Sequence, residues 1–237
     1  MIQYKEKFIK SFNIKESPSD FELNLFKKTQ KYSRYISWIP WLKMLAVCNS
    51  LSMYSTKSTS DIDLFIVTEK NRVWFVRFFI TIIFYILWVW RKDESNSAWN
   101  FCLSFFACEN NLDFSKIAIK NDIYLYFWIH YLKPIINNDL AYEKFIDSNL
   151  ALWIKKDELP KDNKDYIISV KSYQLKAISY LFGFIDWFWY FLYQNIFKLL
   201  SPKTKKVQRP FWVIISREIL KFHDKDKRED IRDRILD

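Results

Sequence analysis

Residues 44–67 read MLAVCNSLSMYSTKSTSDIDLFIV, and this stretch decides the fold. Met44 to Cys48 is an apolar run that ends at the polar pair Asn49-Ser50. After a ten-residue spacer, Asp61-Ile62-Asp63 opens a run of β-formers, Leu64 to Val67. Successive side chains of a strand point to opposite faces, so Asp61 and Asp63 emerge together, about 6–7 Å apart, while Ile62 and Leu64 turn to the core. Two carboxylates so placed suit a divalent ion, which takes oxygen ligands and keeps waters for a substrate phosphate. Chemistry at a phosphoryl group is the expectation. The competing reading of the same residues is a solvated strand edge after a polar loop.

The order of apolar strand, small polar turn, spacer and Asp-apolar-Asp resembles the nucleotidyltransferase superfamily related to DNA polymerase β. The match is close over Val47–Val67 and looser over Phe21–Ala107. The resemblance implies an α+β, nucleotidyltransferase-like fold: a small mixed β-sheet with flanking helices in residues 1–115, then a mostly helical C-terminal part, 116–237. It also implies roles. Asn49 and Ser50 would bind the triphosphate of an NTP, with Ser60 beside them. Asp61 and Asp63 would be the catalytic metal ligands for Mg²⁺ or Mn²⁺. A nucleoside monophosphate would pass to a hydroxyl or amine acceptor on a small molecule, a protein or RNA. A non-catalytic member of the fold, binding nucleotide or a partner, is the alternative.

Two positions depart from the family pattern. Its turn glycine is Asn49 here, one of the few side chains that tolerate left-handed backbone angles. Its third acid has no counterpart in the next apolar run, Trp99–Ala107, whose polar or sulfur positions are Asn100, Cys102 and Ser104. Glu109, at the end of that run, is the candidate third acid.

Composition narrows the remaining classes. A single glycine, Gly183, excludes a Gly-rich phosphate loop. The net charge of +10 favours anionic partners, and the densest basic stretch, Lys203–Arg209, reads as a solvated linker. Cys48, Cys102 and Cys108 lack paired metal spacing, so buried reduced thiols are expected, and neither His130 nor His223 has a zinc-like partner. Residues 1–20 show no apolar signal segment, which fits a cytoplasmic protein.

Two apolar stretches bear on location. Val73–Trp90 carries only Arg77, and Ala177–Leu200, rich in Trp, Tyr and Phe, is interrupted by Asp186. Asp186 would cost about 3 kcal/mol at the centre of a bilayer, so burial or peripheral membrane contact is expected rather than a span. For the other elements, Ser19 and Glu22 form a capping box opening a helix to about Ile36. Helices are expected over Asp122–Ile136, Leu140–Lys155 and Val170–Leu200. Ser216-Arg217-Glu218 tips Phe211–Phe222 towards helix, and the doubly charged tail from Lys221 reads as an exposed helix.

Overall fold

The computed structural model describes residues 1–91, 98–170, 179–192, 195, 213–222 and 226–237. Its centre is a mixed sheet of six described strands: β1 (Leu42–Val47), β2 (Ile62–Thr68), β3 (Phe101–Cys108), β4 (Lys133–Asn137), β5 (Val213–Ile215) and β6 (Ile219–Phe222). They lie in the order β4-β1-β2-β3-β6-β5, and only β2 and β3 run parallel. A parallel pair needs a long crossover, supplied here by helix α4 (Val73–Ile86).

Helices cover both faces, which makes the fold mixed α/β in three layers. Ile62, Leu64 and Ile66 of β2 pack with α4 and with α2 (Asp20–Arg34). Phe65 and Val67 face the other way, onto α1 (Lys5–Phe12), α5 (Ile123–His130) and α6 (Ala141–Ser148). Helix α8 (Arg228–Leu236) adds Ile235 to that second core. Asp61 and Asp63 continue the Phe65–Val67 face beyond the apolar packing.

The Ser19–Glu22 capping box is present at the start of α2. The other oxygen of Glu22 accepts from the Thr56 amide at 3.0 Å, so this helix start also anchors the spacer between Ser50 and Asp61.

Three of the six strands come from residues 116–237, and they pair at both sides of the strands from residues 1–115. The mostly helical C-terminal part expected from the sequence is therefore corrected in two places. The helix expected over Asp122–Ile136 stops at His130, and Lys133–Asn137 is the edge strand β4. Pro134 explains this, since it disfavours helix at Lys133 and, lacking an amide hydrogen, is tolerated at a sheet edge. Around Ser216 the chain forms the turn of the β5–β6 hairpin rather than a helix. The Ser216 hydroxyl accepts from the amides of Glu218 (3.1 Å) and Ile219 (2.8 Å), the local competition by which serine favours turns over helix interiors.

The helix expected over Leu140–Lys155 ends at Ser148. There the Asn149 side chain bonds Phe114 N, Leu112 O and Phe145 O, turning the chain towards that loop. Of the tail expected as an exposed helix from Lys221, Lys221 and Phe222 belong to β6, and the helix α8 runs over Arg228–Leu236 with Arg228 and Ile235 buried.

Helix α7 (Ser179–Leu192) packs on α4, with Phe78 and Trp189 stacked at 4.3 Å. Asp186, fully buried, accepts from the amides of Trp74 (3.0 Å) and Phe75 (2.9 Å) and so caps α4 from a neighbouring helix. Burial pushes its carboxyl up to about 6, against those two amide bonds and the nearby Arg72 charge. The acid that is costly in hydrocarbon has a structural use in this helix pair. No helix among the described residues is long and apolar enough to cross a membrane.

Candidate functional site

The site begins where β1 runs out. Asn49 adopts φ 57°, a left-handed angle that asparagine tolerates, at the start of a short helix, α3 (Asn49–Ser52). The asparagine does more than tolerate the turn. Its side-chain oxygen accepts from Tyr124 Oη (3.1 Å) and Trp128 Nε1 (3.0 Å), both on α5, and the same side chain lies against the Asp63 carboxylate. The turn, helix α5 and strand β2 are thus tied at one side chain. Ser50 sits half-buried in the same turn, its carbonyl accepting from the Ser55 amide.

Asp61 and Asp63 lie on one face of β2, as their spacing requires. Across the parallel pair, Asp63 is in register with Cys102. One ligand atom each from Asp61, Asp63 and Cys102 lie within 4.8 Å of one another, and all three residues are half-buried. The register shifts between Asp63 and Phe65, so that β3 fits an extra residue between Cys102 and Phe105 and both face the acid side.

Arg91 completes the cluster. After α4 the chain returns to the sheet through a parallel bridge between Trp90 and Phe101, and the Arg91 amide bonds the Phe101 carbonyl. The guanidinium then makes an ion pair with Asp61 and comes within 3.9 Å of Cys102 Sγ.

Burial and the neighbouring Asp63 charge raise the Asp61 carboxyl above its ordinary range, with Arg91 opposing them. Burial also raises Asp63, against hydrogen bonds from Asn49 and Cys102. Two like charges in a partly dehydrated site are relieved by protonation or by a cation, and Arg91 already neutralises part of the charge at Asp61.

Beside Asn49, on the same sheet face, lies a cavity of about 270 Å³. Its walls include Phe105, Tyr124 and Trp128, with Lys221, Lys227 and Arg228 at the polar side. Lys221 stands opposite Phe105 in the sheet and pairs with Asp226 at 2.8 Å. Arg228 pairs with Asp226 and Asp122, each at 2.8 Å. The cavity therefore joins aromatic side chains to the ion-paired cluster of Lys221, Asp226 and Arg228, with Lys227 beside it and Asn49 on the side of the turn.

The structure brings Asn49, Ser50, Asp61 and Asp63 together. Ser60 is adjacent in sequence, but its hydroxyl accepts from the Lys57 amide at 3.1 Å and closes its own turn. Glu109 is not at the site. It follows β3, seven residues beyond Cys102, at the far end of the sheet, where its amide bonds Thr68 and its carboxylate takes the Lys70 amide. Strand rise of about 3.3 Å per residue puts it roughly 20 Å from the acid pair, out of reach of a shared ion. Among the described residues, the third member of the cluster is instead Cys102.

Neither Cys102 nor Arg91 was singled out by sequence reasoning. The polar and sulfur phase of β3 held the signal for the first, but only the strand register assigns it. The stretch Lys203–Arg209 and residues His223, Asp224 and Lys225 lie outside the described residues.

Compared with models of protein families, with curated proteins and with solved structures, the chain finds no match.

Proposed function

We propose that this protein is a metal-dependent nucleotidyltransferase that moves a nucleoside monophosphate from an NTP to a hydroxyl or amine acceptor. The observation that carries the reading is the meeting of the Asn49-Ser50 turn with the Asp61–Asp63 pair, with a cavity of aromatic and ion-paired side chains on the other side of Asn49. The nucleotidyltransferase-like fold belongs to the same proposal, supported by an apolar strand, a polar turn and an acid-bearing strand on one mixed sheet.

The acids fit a divalent ion, because they are close, half-buried and held at the end of a rigid strand. Such an ion, when bound, supplies charge to a triphosphate and its departing pyrophosphate. The chain's own residues do the positioning. Asn49 ties the turn to α5 through Tyr124 and Trp128.

The test is incubation with labelled ATP, CTP, GTP and UTP in the presence of Mg²⁺, Mn²⁺ or Zn²⁺. Pyrophosphate release that disappears in an Asp61→Asn, Asp63→Asn double variant supports the enzyme; release undiminished in that variant refutes the site.

Arg91 favours a second reading. A guanidinium already paired with Asp61, in a cluster that holds no third carboxylate among the described residues, also suits a module that binds nucleotide or a partner without turnover. Saturable NTP binding with no pyrophosphate release would select it.

Work at an anionic membrane surface is a further part of the proposal. Phe184, Trp187, Phe188 and Phe191 share one face of α7, and Ile82, Tyr85 and Ile86 one face of α4, all exposed. The sequence after α7 carries Lys198, Lys203, Lys205, Lys206 and Arg209 with no acid before Glu218. Aromatic residues beside basic ones suit a lipid interface. Sedimentation with phosphatidylserine vesicles, lost on Trp187→Ser with Phe188→Ser, is the expected result; equal sedimentation of both proteins removes the idea.

A further inference from the structure

Among the described residues, the donor set of the acid cluster is mixed: two carboxylates and one thiol. Magnesium demands oxygen ligands in near-ideal octahedral geometry and binds sulfur poorly. Zinc takes Asp oxygen at about 2.0–2.2 Å and Cys sulfur at about 2.3 Å, and its catalytic sites pair three protein ligands with one open position. On the reading that Asp61 and Asp63 hold the metal, we propose that Cys102 is its third ligand. The site therefore selects thiophilic divalent ions of the zinc class over Mg²⁺.

Geometry carries the assignment. Cys102 is in register with Asp63 on the adjacent strand, so the sulfur sits on a rigid element beside the carboxylates. Tetrahedral coordination at those bond lengths needs ligand atoms about 3.6 Å apart. The three atoms already lie within 4.8 Å, a gap that side-chain rotation closes without moving either strand. Cys48 and Cys108 are buried, whereas Cys102 is part-exposed beside the acids.

The Arg91 guanidinium lies 3.9 Å from the sulfur and pairs with Asp61. Coordination replaces the S–H bond by an S–metal bond and releases that proton to solvent, while Arg91 gives up Asp61 to the incoming ion.

The experiment titrates the metal-free full-length protein with Cd²⁺ and reads the ultraviolet sulfur-to-cadmium charge-transfer band. Zn²⁺ and Mg²⁺ affinities are measured alongside by competition and calorimetry. The wild type is expected to develop the band at one ion per chain and to bind Zn²⁺ far more tightly than Mg²⁺. Cys102→Ser should lose the band and weaken Zn²⁺ by about 10- to 100-fold or more, the loss that even outer-sphere changes cause. Cys102→Asp should narrow the preference by raising Mg²⁺ affinity. An unchanged melting curve confirms that each variant is folded.

A band that persists in Cys102→Ser places the sulfur elsewhere and overturns the assignment. Binding at one ion per chain without a band, abolished by Asp63→Asn, leaves the acid site standing and removes Cys102 from it. Absence of any metal binding overturns both this assignment and the reading beneath it.

Discussion

Asp63→Asn separates a metal ligand from a structural acid, because the two roles move stability in different ways. The substituted amide keeps an oxygen for the Asn49 side chain while losing the charge that burial disfavours. The metal-free variant is therefore expected to melt no lower than the wild type. The metal-loaded comparison is the opposite. An ion at about 100 times its Kd stabilises the native state by about 2.7 kcal/mol. Unfolding entropy of roughly 2.1 cal/mol/K per residue, over a chain of 237 residues, is about 0.5 kcal/mol/K. The wild type should gain about 5 °C in Tm with Zn²⁺ or Mn²⁺, and the variant about none. Circular dichroism melts with and without metal measure both quantities. A variant that keeps the full metal-induced gain, or that melts many degrees lower without metal, refutes the assignment of Asp63 as a ligand.

Glu109→Ala should leave metal binding and the metal-induced Tm gain unchanged, since Glu109 stands at the other end of β2 and β3; a lost gain would refute its placement. Asp186 has a folded pKa of about 6, above an unfolded value of about 3.9, so its contribution favours the fold below pH 4 and is lost as pH rises through 6. That difference amounts to about 3 kcal/mol, and Asp186→Asn should flatten the corresponding part of a urea-midpoint profile between pH 4 and 7; an unaltered slope would contradict the buried cap. Ser216→Ala removes the acceptor for two turn amides and should cost about 1 kcal/mol in urea unfolding, whereas a helix through this segment would gain from alanine.

The part of the site that sequence exposes is the part made by one strand. Alternation alone puts Asp61 and Asp63 on a common face, and the apolar run before Asn49 supplies the neighbouring strand. The capping box at Ser19 is equally local. Cys102 and Arg91 reach the acids through pairing, which no short window contains. One depends on the parallel register of β2 with β3, the other on a bridge from Trp90 to Phe101 after a helix that ends earlier than its apolar run. Glu109 misled for the same reason. Its distance along β3 is read easily, but which end of β3 meets Asp63 is a tertiary fact. Pro134 was different, a local signal for β4 outweighed by the apolar helix before it.

Arg91→Ala decides between catalyst and binding module on electrostatic grounds. Asp61 is 17% exposed and its Arg91 partner 29%, so the pair lies between a surface bridge and a buried one. Losing it should cost about 1–3 kcal/mol, or roughly 2–6 °C at this chain length. If Arg91 only holds the place of an ion, added metal replaces its charge at Asp61 and the deficit closes. The metal-induced gain of the variant then exceeds that of the wild type, and metal affinity rises because no guanidinium competes. If Arg91 is the lasting counterion of a non-catalytic site, the variant stays destabilised at every metal concentration. A variant whose melting is unchanged both with and without metal would show that Arg91 does not neutralise the acid pair in solution, and the electrostatic account of the cluster would fall with it.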